Sequence, residues 1–353
     1  MIKTFEEVFE DKTKYGTKIK TEQYQKEGKN IIIDQGKEII SGYTDIQEGL
    51  FEDVPVIIFG DHTRIIKYVD RPFFLGADGV KILKSKFKDA NYKYLYYALR
   101  NIKIPNTGYN RHFKWLKEVE IEYPEIEIQT NIVKVLDKIV HIMNVKRKEI
   151  NNLNTLIKSR FTEMFGDPVS NSYDLPEATL SDLGEFGRGV SKHRPRNDIK
   201  LLGGKYPLIQ TGDIANAGLY ITSYSNTYSE LGLRQSKMWD KGTLCITIAA
   251  NIAKTAILEF DACFPDSVVG FIANERTNNI FIHYWFSFFQ AILESQAPES
   301  AQKNINLKIL SELKVIVPEK RKQDEFASFV KLIDKLKSHF LKLPVFPGLY
   351  VVK

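Results

Sequence analysis

The sequence predicts an α+β chain: two similar mixed α/β domains separated by long helices that pair as an antiparallel coiled coil. Three observations carry this reading. Residues 110–129 and 304–323 run in register at a constant offset of 194, with 7 identities in 20 positions, where composition alone gives about one or two. The pairs are Asn110/Asn304, Lys114/Lys308, Leu116/Leu310, Glu118/Glu312, Pro124/Pro318, Glu125/Glu319 and Gln129/Gln323. After each proline the pattern changes to heptads without Pro or Gly. Before each proline, short β-type runs are punctuated by glycine and acidic residues. The echo extends upstream at shorter offsets, 188 (Asp78/Asp266, Val80/Val268, Asn91/Asn279, Tyr96/Tyr284) and 176 (Gly28/Gly204, Lys29/Lys205, Gly36/Gly212, Gly42/Gly218). The second copy therefore carries extra loop residues. A period this long is a repeated domain plus helix, not a solenoid.

The elements follow in order. Residues 1–123 form the first domain, with strand signals at Asn30–Asp34, Val54–Gly60, Ile65–Val69 and Val119–Tyr123, and a helix at Asn91–Asn101. Residues 124–166 form the central helix. Leu136, Met143, Ile150, Ile157 and Met164 recur at steps of seven, and Ile132, Ile139 and Leu153 mark a neighbouring seam interrupted by Lys146 and Arg160. A helix of this length, near 60 Å at about 1.5 Å per residue, cannot bury its seam alone. Gly166-Asp167-Pro168 ends it.

Residues 167–317 form the second domain, with strands at Pro207–Gln210, Thr243–Ile248, Thr255–Phe260, Val268–Ala273 and Lys314–Val317. A second, shorter helix spans 318–343. There Phe326, Ile333 and Phe340 step by seven, as do Phe329, Leu336 and Leu343, and Pro344 and Pro347 leave a non-helical tail over 344–353. Antiparallel pairing of the two helices would place the domains at opposite ends of a spacer rod.

Composition bounds the function. Net charge is +6 and the pI about 8.9, which permits a polyanion partner without establishing one. Cys245 and Cys263 stand alone; Cys245 reads as a buried thiol, and a reducing cytoplasm fits. The N-terminus has no apolar signal segment, and the most apolar stretch, Ile280–Leu293, is too short and too interrupted for a membrane span.

Catalytic signatures are missing. Asp167-Pro168-Val169 lacks the second proline and aromatic of an adenine-methyltransferase motif. No phosphate loop or dinucleotide fingerprint is present. Pro265-Asp266 resembles the start of a nuclease site, but Glu275-Arg276-Thr277 supplies no matching lysine. The six histidines form no metal motif, and none of them, nor any cysteine, is assigned to a metal; His283 reads as a packed core residue.

What remains are polar loops at matching places in the copies, and these are the candidate DNA-binding residues. Asn110, Arg111 and His112 precede Lys114, as Gln302, Lys303 and Asn304 precede Lys308; such side chains can contact base edges in the major groove. Lys14, Lys18 and Lys20 in the first copy, and Lys192, His193, Arg194 and Arg196 in the second, can neutralise phosphates. His62 and Arg64, with Asn251 and Lys254, are polar residues at a strand end.

In this order the motifs resemble the specificity subunit of type I restriction–modification systems. The carriers are Tyr206-Pro207-Leu208-Ile209-Gln210-Thr211-Gly212-Asp213-Ile214, the strand–Pro–acidic start of each helix (Tyr123-Pro124-Glu125 with Gln129; Val317-Pro318-Glu319 with Gln323), and Met164-Phe165-Gly166-Asp167-Pro168. They span nearly the whole chain. The resemblance implies two target recognition domains, each reading one half of a bipartite sequence in double-stranded DNA, with the helices setting the gap. It also implies two methyltransferase subunits, which bind S-adenosylmethionine, and ATP- and Mg-dependent restriction subunits, leaving this chain without cofactor or catalysis. The first copy departs from the Pro-Leu-Ile motif, having Asn30-Ile31-Ile32-Ile33-Asp34-Gln35-Gly36 instead, and the second helix ends early. Competing readings are a self-sufficient methyltransferase or nuclease relative, and a protein-binding scaffold.

Overall fold

The computed structural model describes every residue except 109, 250–251, 290–291, 293–304 and 342–353. The tail 344–353 and Leu343 lie outside the described residues. Two compact units divide the chain within the central helix, one reaching Val145 and the other starting at Lys146.

The first unit contains β1 (Ile2–Thr4), α1 (Phe5–Val8), β2 (Phe9–Asp11), β3 (Asn30–Ile33), β4 (Gly42–Thr44), β5 (Val56–Gly60), β6 (Ile66–Val69), β7 (Phe73–Leu75), β8 (Val80–Ser85), α2 (Tyr92–Asn101), α3 (Phe113–Leu116), β9 (Glu120–Glu122) and the start of α4 (Ile126–Phe165). A four-stranded sheet runs β2-β8-β5-β6, a three-stranded sheet runs β4-β3-β7, and β1 pairs with β9. Every residue of β5 is buried because the strand has two covered faces. Ile57 and Phe59 pack with Leu95 and Leu99 of α2, while Val56 and Ile58 pack with Phe73 and Leu75, the alternation a pleated strand imposes.

The second unit continues α4 and adds β10 (Glu177–Thr179), β11 (Gly184–Arg188), β12 (Leu202–Leu208), α5 (Thr211–Asn216), β13 (Tyr220–Ile221), β14 (Asn226–Tyr228), α6 (Glu230–Arg234), β15 (Met238–Trp239), β16 (Leu244–Thr247), β17 (Thr255–Leu258), β18 (Ala262–Cys263), β19 (Val268–Ala273), α7 (Asn279–Trp285), α8 (Leu307–Glu312), β20 (Lys314–Ile316) and α9 (Lys320–Leu341). Its sheets run β11-β19-β16-β17-β13 and β14-β12-β18-β15, with β10 on β20.

Sheet register aligns the copies residue by residue. Phe9 faces Ser85 and Gly184 faces Ala273, so β8 and β19 match at an offset of 188. The parallel partners Ile33–Leu75 and Leu208–Cys263 place β3 and β12 at 175, one residue from the 176 that the glycines suggest. Gly42 and Gly218 are not equivalent, because β4 corresponds to β14 and the second copy inserts α5 and β13 between. The helix caps are Asn91 and Asn278, one residue away from the Asn91/Asn279 pairing. At the start of the two long helices the match is atomic: Gln129 Nε2 donates to Pro124 O and Gln323 Nε2 to Pro318 O, both at 2.8 Å.

In the second unit, α4 and α9 run antiparallel. Phe161 and Phe165 contact Phe326 near one end, and Lys146 Nζ donates to Phe340 O at the other. The polar interruptions of the seam are partnered: Arg160 reaches Glu163 and, across the pair, Glu325. Ile157 is buried, whereas Leu136, Met143, Ile150 and Met164 are half-buried. On α9, Phe326 and Ile333 are buried and Phe340 half-buried, but Leu336 is exposed; the inward stripe is Phe326, Ala327, Val330 and Ile333, the wider face a globular helix presents. Gly166 adopts φ +74 past the end of α4, the left-handed stop that glycine permits.

Candidate nucleic-acid interface

In the first unit five chain segments meet at one end of the β2-β8-β5-β6 sheet, and two side chains join them. Asp61, buried in the turn after β5, accepts the Phe113 backbone N–H at 2.7 Å, while its carbonyl takes the His112 N–H. Gln35, after β3, accepts from His62 N and donates to Asp78 O, each at 3.1 Å. Gly79, at φ +79, leaves room for the His62 ring, which a Cβ would meet at 2.7 Å. Lys18, from the loop after β2, forms an ion pair with Asp78. Hydrogen bonding by Lys18, its charge, and the charge of Arg111 together hold the Asp78 carboxyl below its ordinary range.

This convergence gathers Lys18, His62, Asn110 and Arg111. Asn110 is exposed but braces its own turn, donating from Nδ2 to Thr107 O. His112 is a correction. It is fully buried, with Nδ1 3.0 Å from Asp61 O, so it packs the α3 turn and cannot reach a base edge. Lys14 lies over the Tyr15 ring, and Lys20 precedes a single 3-10 turn; both are exposed. Arg64 turns away: its guanidinium donates to Ile104 O beside an open cleft of about 1280 Å³ that Lys37, Tyr68, Tyr96, Arg100 and Lys103 also line.

In the second unit the loop after β11 carries Lys192, His193, Arg194 and Arg196, all exposed. Arg196 Nη2 lies 2.5 Å from one Asp266 oxygen and Arg194 Nη2 3.6 Å from the other, while Arg188 Nε donates to the Asp266 carbonyl at 3.1 Å. His193 Nε2 contacts Asp198 at 3.0 Å. The Asp198 carboxyl is held low first by the Lys200 N–H and then by His193. Lys254, after the β16–β17 turn, is exposed. Asn251, Gln302, Lys303 and Asn304 lie outside the described residues.

Gln35, Asp61, Asp78 and Asp266, the side chains that organise these loops, are not among the candidate DNA-binding residues that the sequence marks. Asp78/Asp266 did appear as a repeated pair, but nothing local gave either residue a partner. Sequence reading missed a second apolar row on α4: Ile128, Val135 and Ile142 are exposed, one position before the seam and at the same spacing of seven. Among the described residues there is no metal-binding cluster, and no helix is long and apolar enough to cross a membrane. Both cysteines are free and buried, and burial pushes both thiol pKa values up.

A duplicated sheet domain with cationic loops at one end, each copy followed by a helix, is the architecture of a known protein class. The sequence profile of the type I restriction modification DNA specificity domain matches residues 1–155 and again 174–342. The chain belongs to the type I restriction–modification specificity-subunit family. It is 23% identical over 298 residues to the putative type I restriction enzyme MjaX specificity subunit of Methanocaldococcus jannaschii, covering 77% of this chain and 68% of that protein. It is also 23% identical over 353 residues to the type I restriction enzyme EcoR124I/EcoR124II specificity subunit of Escherichia coli, covering 93% and 84%. The fold resembles the crystal structure of the type I restriction–modification S subunit from M. genitalium, with a TM-score of 0.57 and 18% identity over 97% of this chain and 91% of that one. A chain from a structure addressing complex assembly and conformational transition of the type I system matches with a TM-score of 0.50 and 14% identity, over 89% and 86%.

Proposed function

We propose that this chain is the non-catalytic DNA reader of a type I restriction–modification complex, each unit reading one half of a bipartite target. The observation that carries the reading is the duplication itself: each strand of the first domain has a counterpart in the second, which adds β13 and β15, and each domain has a cationic loop after the strand that pairs with β8 or β19. Phosphate contacts position such a protein and base-edge contacts specify its site. Chemistry belongs to partners: two methyltransferase subunits holding S-adenosylmethionine, and restriction subunits using ATP and Mg. The complex works in the cytoplasm. The exposed apolar row Ile128, Val135 and Ile142 on α4 is a surface for a partner subunit.

The helix acts as the ruler between half-sites. Inserting four residues after Asn151, about one turn or 6 Å, should lengthen the permitted spacer by about two base pairs. Methylome sequencing of a host carrying the variant measures this, and an unchanged spacer refutes the ruler. Purified chain incubated with S-adenosylmethionine and host DNA should transfer no methyl group; transfer without a partner refutes the non-catalytic assignment.

A further inference from the structure

Each unit places one acidic residue against the cations of its own reading loop. Asp78 stands in the turn before β8 and Asp266 in the turn before β19, at the offset of 188 that relates those strands. The cations come from the loop after the neighbouring strand, Lys18 after β2, and Arg194 and Arg196 after β11. In both copies the aspartate carbonyl is also tied down at 3.1 Å, by Gln35 in the first and Arg188 in the second. The match is one of position and role, since the loop sequences differ.

The chemistry of the second site resembles that of a phosphate clamp. Two guanidinium groups each take a different oxygen of one carboxylate, and a spacing that suits two carboxylate oxygens also suits two oxygens of a backbone phosphate. Arg188, Lys192, Arg194 and Arg196 outnumber the two carboxylates Asp198 and Asp266, so the loop keeps an excess of positive charge. Arg194, Arg196 and Asp266 are all at least one-third exposed, and exposed ion pairs hold weakly. The buried Ser191 hydroxyl of this loop, and the amide nitrogen of Gln235, which follows α6 and packs against the loop, have no hydrogen-bond partner among the described residues. The Gln235 carbonyl oxygen meanwhile accepts the Lys192 and His193 N–H groups. The loop is thus secured through its backbone, with polar capacity left over.

The geometry points to Asp78 and Asp266 as internal stand-ins for DNA phosphate: each occupies its loop's cations in the free protein and yields them to a backbone phosphate on binding. The aspartates thereby weaken sequence-independent binding and set how sharply the target is discriminated. This rests on the DNA-reading function proposed above and deepens it by naming residues that bind no DNA themselves.

The test uses the full chain and a 30-base-pair duplex of mixed sequence, titrated by fluorescence anisotropy over a series of KCl concentrations. Variants are Asp266→Asn, Asp78→Asn and the double variant Arg194→Ala/Arg196→Ala, with thermal melting as the folding control. Releasing one cation should tighten mixed-sequence binding about five- to tenfold at low salt and steepen the logarithmic salt dependence by about 0.9. Combining Asp266→Asn with the arginine double variant should remove that gain. Unchanged or weaker binding by Asp266→Asn, with the arginine double variant weakened, overturns the stand-in role and leaves the DNA-reading loop intact. If neither variant alters binding, the loop itself does not meet DNA and both assignments fall for that unit. A loss of binding in Asp266→Asn with unaltered salt dependence marks a purely structural brace and also overturns the proposal.

Discussion

The two copies share a scaffold and differ in how they fill it. On β6, Lys67 is buried and its ammonium donates to the carbonyls of Asp34 and Glu38, holding the loop after β3. Register places Ala256 of β17 at the corresponding point of the second copy, since Ile58 faces Lys67 and Cys245 faces Ala256. There the inserted α5 lays Ile214 into a cluster with Cys245 and Ala256. One copy satisfies loop carbonyls with a buried cation, and the other covers the same sheet with an apolar turn. The Gly-Asp-Ile motif gains a physical meaning from this: Asp213 accepts the Gln210 N–H and the Ser225 hydroxyl, and Ile214 packs inward. A duplicated domain keeps its strands because their register is mutual, while each loop adopts its own local solution.

The contrast is open to test, beginning with the helix seams. Phe326 is fully buried, with ring contacts to Phe161, Phe165 and Tyr284 between 5.4 and 5.6 Å. Ile132, its counterpart at offset 194, is 36% exposed. Phe326→Ala should cost about 3–5 kcal/mol and Ile132→Ala under about 1 kcal/mol, read from urea unfolding. Equal costs would show that the helices pack alike in the two units.

The equivalent glutamines come next. Gln323 bonds to Pro318 O, Arg276 O and the Thr277 hydroxyl. Gln129 keeps the Pro124 bond, and its Oε1 has no hydrogen-bond partner among the described residues. Gln323→Met should destabilise by about 2–3 kcal/mol and Gln129→Met by about 1 kcal/mol. The same assay on Lys67→Met should show a loss of about 1–3 kcal/mol, with faster amide exchange across residues 34–41 and no change around Ala256.

The smallest effect is in pH. Burial pushes His283 on α7 down to about 4, assisted by the charge of Lys337 and opposed by its bond with Thr255. Its ring also meets that of Tyr284. A base whose folded pKa lies below its unfolded value takes its proton first in the unfolded chain. His283 therefore lowers stability as pH falls from about 6.5 towards 4. A loss of about 1–2 kcal/mol at pH 5 relative to pH 7 is expected, with His283→Gln largely removing it. The corresponding stretch of α2, Leu95-Tyr96, has no histidine, so this titration has no counterpart at that place in the first unit.

Much of this was legible beforehand. The sequence predicts the strand at Val268–Ala273 with the bounds the structure gives it, and α2 and α4 to within two residues. No sequence signal marks β1, β2, β4, β7 and β8 of the first unit or β10, β11, β13, β14, β15 and β18 of the second; most are two or three residues long, and others are enclosed on both faces, where alternation disappears. Of the candidate interface, the cationic loops were legible as composition. The buried state of His112 was not, because a histidine in a polar loop gives no local sign of the carboxylate turn that it packs against.

By itself the amino-acid pattern determined the duplication, the two heptad helices and the stop of the first at Gly166, because periodicity and helix stops are local properties of the chain. Which charges stand free and which are held was decided by tertiary structure alone. Lys18 meets Asp78 across 60 residues and Arg196 meets Asp266 across 70. Such meetings depend on strand register and loop path, which no short stretch of sequence encodes.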